Sequence, residues 1–318
     1  MTADPAKKNA LLTGFLISFT GAILFSTKAI IIKKAFHAVA TDALTLLTLR
    51  MVFSLPFYLV AAVWGSRKEG NVKMNRGQWL RVIGLGLLGY YLSSLFDFIG
   101  LQYISAGLER LILFIYPSLA VLINAVLFRQ KINSAQRWAL VLTYIGIGIA
   151  YFGELKVDNS NPNFYWGSLM IFLCAITYAF YLAGTGRMVP VLGAAKFTTY
   201  SMLVATGGVL LHFTVRALLR GDDPLIIAGK GLWGYALLLA LVATVIPSFL
   251  LAEGMKRIGA NNAAIITSVG PVSTILQAHF ILGDKIFAEQ VVGTVLVIIG
   301  VLLIGWKGRQ VAGNETTG

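Results

Sequence analysis

Five charged side chains, Lys28, Arg50, Asp97, Glu109 and Arg110, lie in or at the edge of long apolar runs. A charge at bilayer depth costs at least ~2.5–3.5 kcal/mol on insertion scales, so such residues are paired, functional or both. Three cations and two anions can neutralise one another and close a gate. With one cation left over they can also hold a substrate carboxylate or phosphate, for which Arg offers a bidentate fork. His279 adds the one membrane-embedded group of a type that titrates near neutral pH. All six project to the same half of the molecule. Tyr116 and Tyr178 fall deep enough to line a substrate pocket, where aromatic walls are favoured. A plainer role competes for three of the charges. Glu109–Arg110 can be an interfacial ion pair, and Lys28 can extend its ammonium to the membrane surface. Arg50 and Asp97 lie deeper and resist that reading.

The elements that position these residues follow from hydropathy. The chain has 318 residues, 57% hydrophobic and 12% charged, where a soluble domain is about 45–50% apolar and about 25% charged. Its apolar residues form continuous runs long enough to cross a ~30 Å hydrocarbon core as helix. Continuous rather than alternating runs exclude a barrel, which predicts an all-α membrane protein. Ten transmembrane helices are expected, at about 10–32, 42–64, 79–101, 108–128, 135–153, 165–185, 195–217, 232–254, 262–282 and 287–306. About twice as many Lys and Arg fall in one set of connecting segments as in the other. The densest group is Arg67, Lys68, Lys73, Arg76 and Arg81. The positive-inside rule then puts both termini in the cytoplasm of an inner-membrane protein. The +13 net charge is thus assigned to anionic lipid and not to nucleic acid. Lys28, Lys33 and Lys34 disfavour a cleaved signal peptide at the first run.

The chain also repeats itself. A gapless shift of 154 residues places Trp79 on Trp233, Gly100 on Gly254, Pro117 on Pro271, Lys131 on Lys285, Gln136 on Gln290 and Gly146 on Gly300. YPSLAVLINAVLFRQKI thereby recurs as GPVSTILQAHFILGDKI. Each half holds five predicted spans, and an odd number forces the second half to insert upside down, giving two inverted five-helix repeats. The expected organisation is a tail at 1–9, a repeat at 10–153, an outer linker at 154–164, a second repeat at 165–306 and a tail at 307–318. A proline inside a helix costs ~3 kcal/mol. Pro117 and Pro271, at equivalent depth, therefore predict paired kinks beside a cavity. A static packing kink is the alternative. The Glu109–Arg110 pair has no charged counterpart, since Ala263 and Ala264 occupy those positions.

Two five-helix halves, each with a proline in the fourth helix and glycines in the fifth, resemble the EamA-type members of the drug/metabolite transporter superfamily. The turn that closes the fourth helix stands here as FRQKI and LGDKI, with Gln130 and Asp284 where that family carries Glu. In the first helix, ILFSTKAI has Phe25 where the family often has Trp. The resemblance implies a ten-helix secondary transporter of a small metabolite, often an amino acid moved outward. It also leaves open exchange of phosphorylated or nucleotide-linked substrates. A membrane enzyme or scaffold for lipid-linked intermediates is the reading from another class. The chain shows no HExxH, P-loop or G-x-S-x-G motif, and its single cysteine, Cys174, supports neither a disulfide framework nor a metal cluster. No cofactor or metal is expected. The expected partners are a small-molecule substrate and the bilayer, with the chain a monomer or homodimer.

Overall fold

The computed structural model describes residues 5–66, 73–129, 132–157, 161–221, 230–258 and 266–314. Arg67, Lys68, Gln130, Lys131, Ala263 and Ala264, which entered the sequence reading, lie outside them. Among the described residues the chain is helical, without strands. The helices are α1 (Pro5–Ala38), α2 (Ala43–Ser66), α3 (Arg76–Gly86), α4 (Ser93–Leu101), α5 (Ala106–Leu113), α6 (Tyr116–Phe128) and α7 (Ser134–Val157) in the first half. The second half has α8 (Phe164–Leu192), α9 (Ala194–Arg220), α10 (Lys230–Ala240), α11 (Ile246–Ile258), α12 (Gly270–Gln277) and α13 (Ala288–Asn314). Helix α1 starts, and α13 ends, inside the stretches read from sequence as tails.

Among the described residues, eight helical stretches are long and apolar enough to cross a membrane, with mean hydropathy between 1.5 and 2.3, and Ala288–Leu303 is a shorter apolar helix. Their outer faces carry large apolar side chains such as Leu219 (82% exposed), Leu218 (77%) and Val126 (77%). So much exposed apolar surface suits a hydrocarbon solvent, not water. The ends of the helices are set by local chemistry. Asn75 and Gln78 form a reciprocal capping box at the start of α3, with both bonds at 2.9 Å, and Asn133 with Gln136 does the same at α7.

The two halves share irregularities as well as sequence. Between α3 and α4 the backbone makes a π-helical turn at Leu87–Leu92, and between α10 and α11 it makes another at Leu241–Val245, offset by the same 154 residues. The fourth helix of each half is broken at equivalent places. Ile115 N donates to Ile112 O (3.1 Å) and Leu119 N to Ile115 O (3.0 Å), while Val269 N donates to Ile266 O (3.2 Å) and Ser273 N to Val269 O (2.9 Å). The expectation of kinked helices is thereby corrected. Pro117 and Pro271 each sit in the first turn of a new helix, α6 and α12. There the missing N–H has no intrahelical partner to lose, so the interior penalty does not arise. The carbonyls at the breaks are met by hydroxyls: Ser118 Oγ donates to Ile115 O (2.7 Å) and Ser26 Oγ to Gly270 O (3.3 Å).

Packing relates the halves pairwise. Helix α1 lies against α11 and α12 of the second half, and α8 reciprocally against α4, α5 and α6 of the first. Helix α2 packs on α9, and α7 on α13. In the α7–α13 pair, Ala139 and Thr143 approach Gly300, whereas Gly153 approaches Glu289. The two fifth helices therefore run antiparallel. A Cβ at Gly146 would overlap the Gly293 carbonyl, and one at Gly293 the Gly146 carbonyl, so their glycines set how closely these helices meet.

An ion pair fastens the corner between α1 and α2 to the end of α9. Asp42 caps α2 by accepting from Leu44 N (2.9 Å) and Thr45 N (3.0 Å). It also receives both Nη groups of Arg216, at 2.6 and 3.1 Å. Burial works against the Asp42 carboxylate, but the hydrogen bonds from Arg216 and Thr45 and the Arg216 charge outweigh it and hold the group below its ordinary value. A depressed folded-state pKa contributes stability that is complete above the unfolded value, near pH 4, and is lost as pH falls through the folded value. The thermal midpoint of Arg216→Ala in detergent micelles is expected to lie below that of the wild type at pH 7. The gap should close as the pH is lowered below about 4; a gap independent of pH would assign it to packing alone.

Candidate functional site

The charges identified from sequence converge on one place, contributed by four helices. Lys28 of α1 reaches Asp97 of α4, with Nζ 2.7 Å from Oδ2, and stands 4.0 Å from Glu109 Oε1 on α5. Arg110 Nε is 3.8 Å from Glu109 Oε2. Arg50 of α2 donates through Nη2 to Ser94 Oγ at 3.4 Å and lies over the Phe98 ring, 5.3 Å from its centroid. These groups are enclosed by protein. Asp97 and Glu109 are 0% exposed, Arg110 3% and Arg50 5%. Glu109 and Arg110 thus lie inside the bundle, and Lys28 turns inward to Asp97.

Helix starts explain the geometry. Ser105 caps α5 by accepting from Leu108 N at 3.1 Å, which fixes the first turn, where Glu109 lies, with Arg110 just beyond it. The break at Phe114–Ile115 ends α5 after eight residues, so both charges stay close to Asp97 at the end of α4. Glu109 in that first turn also meets the positive end of the helix dipole.

The cluster is charge-balanced to within one unit but not hydrogen-bond-balanced. Among the buried side-chain atoms without a hydrogen-bond partner are both oxygens of Asp97, both of Glu109, Arg50 Nε, and Arg110 Nε and Nη2. Lys28 Nζ stands at hydrogen-bond distance from Asp97 Oδ2 but 4.0 Å from Glu109, so its charge serves both carboxylates and its short contact only one. The unfilled capacity comprises acceptors on one side and donors on the other.

The second half supplies one wall. Cys174 of α8 is buried with Sγ 3.5 Å from Ser93 Oγ, a contact that the sequence reading missed because an isolated cysteine in an apolar run carries no pattern. Tyr116 and Tyr178 meet edge to face at 5.0 Å. From there an aromatic column continues through Tyr181, 5.7 Å from Tyr178, to Phe197, 5.7 Å further on. Tyr181 also donates its hydroxyl to Tyr90 at 3.0 Å. The ring of Tyr181 occupies space that a Cβ at Gly89, within the π-helical turn, would fill.

His279 does not join this group. Its Nδ1 lies 2.8 Å from the Asp284 carbonyl in the turn after the π-helical segment Ala278–Leu282, and its ring contacts Phe280. A depth estimate along one helix could not show that its side chain points away from the cluster. His212 lies within α9, with Nδ1 2.8 Å from the Tyr91 hydroxyl. Among the described residues no cluster of His, Cys, Asp and Glu has the makings of a metal site.

Comparisons with known proteins bear on the family and the fold. The model of the EamA-like transporter family matches residues 12–152 and again 165–306. The "Uncharacterized transporter YcbK" of Bacillus subtilis is 29% identical over 91% of this chain and 92% of its own length. "Uncharacterized transporter sll1319" of Synechocystis is 23% identical over 94% and 95%. The "Uncharacterized inner membrane transporter YicL" of Salmonella typhimurium is 20% identical over 93% and 96%. A solved crystal structure superposes with a TM-score of 0.61 over 91% of this chain and 94% of that one, at 18% identity, a likeness of fold alone.

Proposed function

Since the chain belongs to the EamA-like transporter family and is a multi-pass membrane protein, we propose that it exports a small zwitterion, an amino acid or a close relative, by alternating access. The observation that carries this reading is the mixed set of unpartnered atoms in the buried cluster. Beside Lys28, which holds Asp97 Oδ2, an ammonium group would fit the Glu109 oxygens and Asp97 Oδ1, and a carboxylate the guanidinium groups of Arg50 and Arg110. A phosphorylated substrate fits less well, because two carboxylates would face its charge. The aromatic pair Tyr116–Tyr178 would border the substrate's side chain.

In this reading ten helices cross the inner membrane as two inverted repeats, with both termini cytoplasmic. The antiparallel packing of equivalent helices and the paired breaks at Pro117 and Pro271 support it. The charge cluster lies toward the outer face, and its ion pairs close that side when no substrate is bound. Opening and closing would exchange contacts between α1 and α11–α12, and between α8 and α4–α6.

The test is mass spectrometry of the growth medium from cells that express the chain or carry an empty vector. One or a few amino acids should accumulate outside only with the chain. Depletion of those compounds would reverse the direction, and enrichment of phosphorylated compounds instead would replace the substrate class.

A further inference from the structure

At the end of the bundle where α1 meets α2, the two halves part around a cavity of about 480 Å³. From the first half it is lined by Lys33, His37, Gly107 and Glu154, and from the second by Asp284, Lys285 and Gln290. None of these residues belongs to the cluster described above. Gln290 is only 5% exposed, yet its side-chain oxygen accepts no hydrogen bond, and Asp284 Oδ2 is likewise buried without a partner. A Cβ at Gly107 would overlap Gln290 Nε2, so the amide reaches the α5 backbone only because position 107 has no side chain.

The two orphaned atoms are both acceptors. On the donor side, Lys33 Nζ gives a hydrogen bond to Ile104 O at 3.0 Å. The formal charges of Lys33 and Lys285 balance those of Glu154 and Asp284, so neither a bare anion nor a bare cation is favoured by net charge. Burial holds the Asp284 carboxyl above its ordinary value, with Lys33 and His37 drawing it partly back. A donor group placed against Asp284 and Gln290 would relieve their unmet capacity, and Lys33, His37 and Lys285 line the same cavity as candidate donors to an acid group.

The geometry points to a second substrate site in this cavity, where Asp284 and Gln290 accept hydrogen bonds from the ammonium group of a small zwitterion. This rests on the transport reading above and makes the cavity a station between the bulk phase and the buried cluster. Gly107 on its wall precedes Glu109 by two residues of α5, about 3 Å of helix axis. Residues two apart on a helix face different sides, so α5 borders both sites, one on each face.

The test is equilibrium dialysis of the full chain in detergent micelles against an equimolar mixture of the twenty isotope-labelled amino acids, with the retained compounds counted by mass spectrometry. The wild type should retain two equivalents per chain. Gln290→Leu and Asp284→Asn should each lower the affinity of one equivalent by about 10-fold or more. Arg50→Ala should lose the other equivalent. Asp284→Asn, at the rim, guards against a folding defect in Gln290→Leu. A single equivalent that vanishes in Arg50→Ala and is untouched in the two cavity variants would overturn this inference and leave the transport reading intact. A single equivalent lost in the cavity variants and kept in Arg50→Ala would uphold the cavity and overturn the buried site. No retention by folded wild-type protein would overturn both.

Discussion

Lys28→Met is expected to lower the stability of the folded protein by about 3–5 kcal/mol, and Lys28→Met/Asp97→Leu to recover most of that loss. Removing the ammonium leaves Asp97 and Glu109, both 0% exposed, facing each other with Arg110 as the nearest compensating charge, 3.8 Å from Glu109. Uncompensated charge in a low-dielectric interior is the costly state. A buried ion pair exchanged for apolar side chains of similar volume is commonly neutral or better, because the desolvation of both ions disappears with them. Thermal unfolding of the three proteins in the same detergent decides the matter. Equal midpoints for the wild type and Lys28→Met would mean that the ammonium contributes nothing to the cluster. The double variant should fold and still fail to transport, which separates the cluster's structural role from its functional one.

Arg50→Ala is expected to reduce transport by about 100-fold or more, the loss that follows from deleting a buried charge-assisted contact to a ligand. Its folding should suffer less than that of Lys28→Met. Arg50 is held by a long hydrogen bond to Ser94 and by the face of Phe98, and Asp97 keeps Lys28 as its partner. Arg50→Lys should recover only part of the activity. An ammonium preserves the charge but loses the planar fork that matches a carboxylate. Initial rates of amino-acid efflux from cells, normalised to membrane-inserted protein, give the comparison. Full activity in Arg50→Ala would remove this residue from the site.

Much of this architecture was legible in the sequence because its signals are dense. Apolar runs marked the spans, and the 154-residue repeat marked the halves. The cost of burying charge singled out Lys28, Arg50, Asp97, Glu109 and Arg110 before any contact was known. The prolines were placed correctly and interpreted too simply. A proline is visible in sequence, but the two-residue turn ahead of it, which spares the helix its interior penalty, has no signature of its own. The π-helical turns escaped for a similar reason, since one inserted residue hardly disturbs an apolar pattern that surrounds the helix. Depth without direction misplaced His279. Gln290 and Cys174 were overlooked as site residues because their importance comes from what stands opposite, Gly107 in one case and Ser93 in the other.

The central claim is that the buried cluster moves a zwitterion across the bilayer. It is tested most directly by reconstituting the purified chain in liposomes loaded with the twenty amino acids and measuring their efflux by mass spectrometry, with Arg110→Met alongside. A subset of the amino acids is predicted to leave wild-type vesicles faster than protein-free ones, and to be retained by the variant. Equal efflux from wild-type and Arg110→Met vesicles, or none above the protein-free rate from folded wild-type protein, would contradict the account.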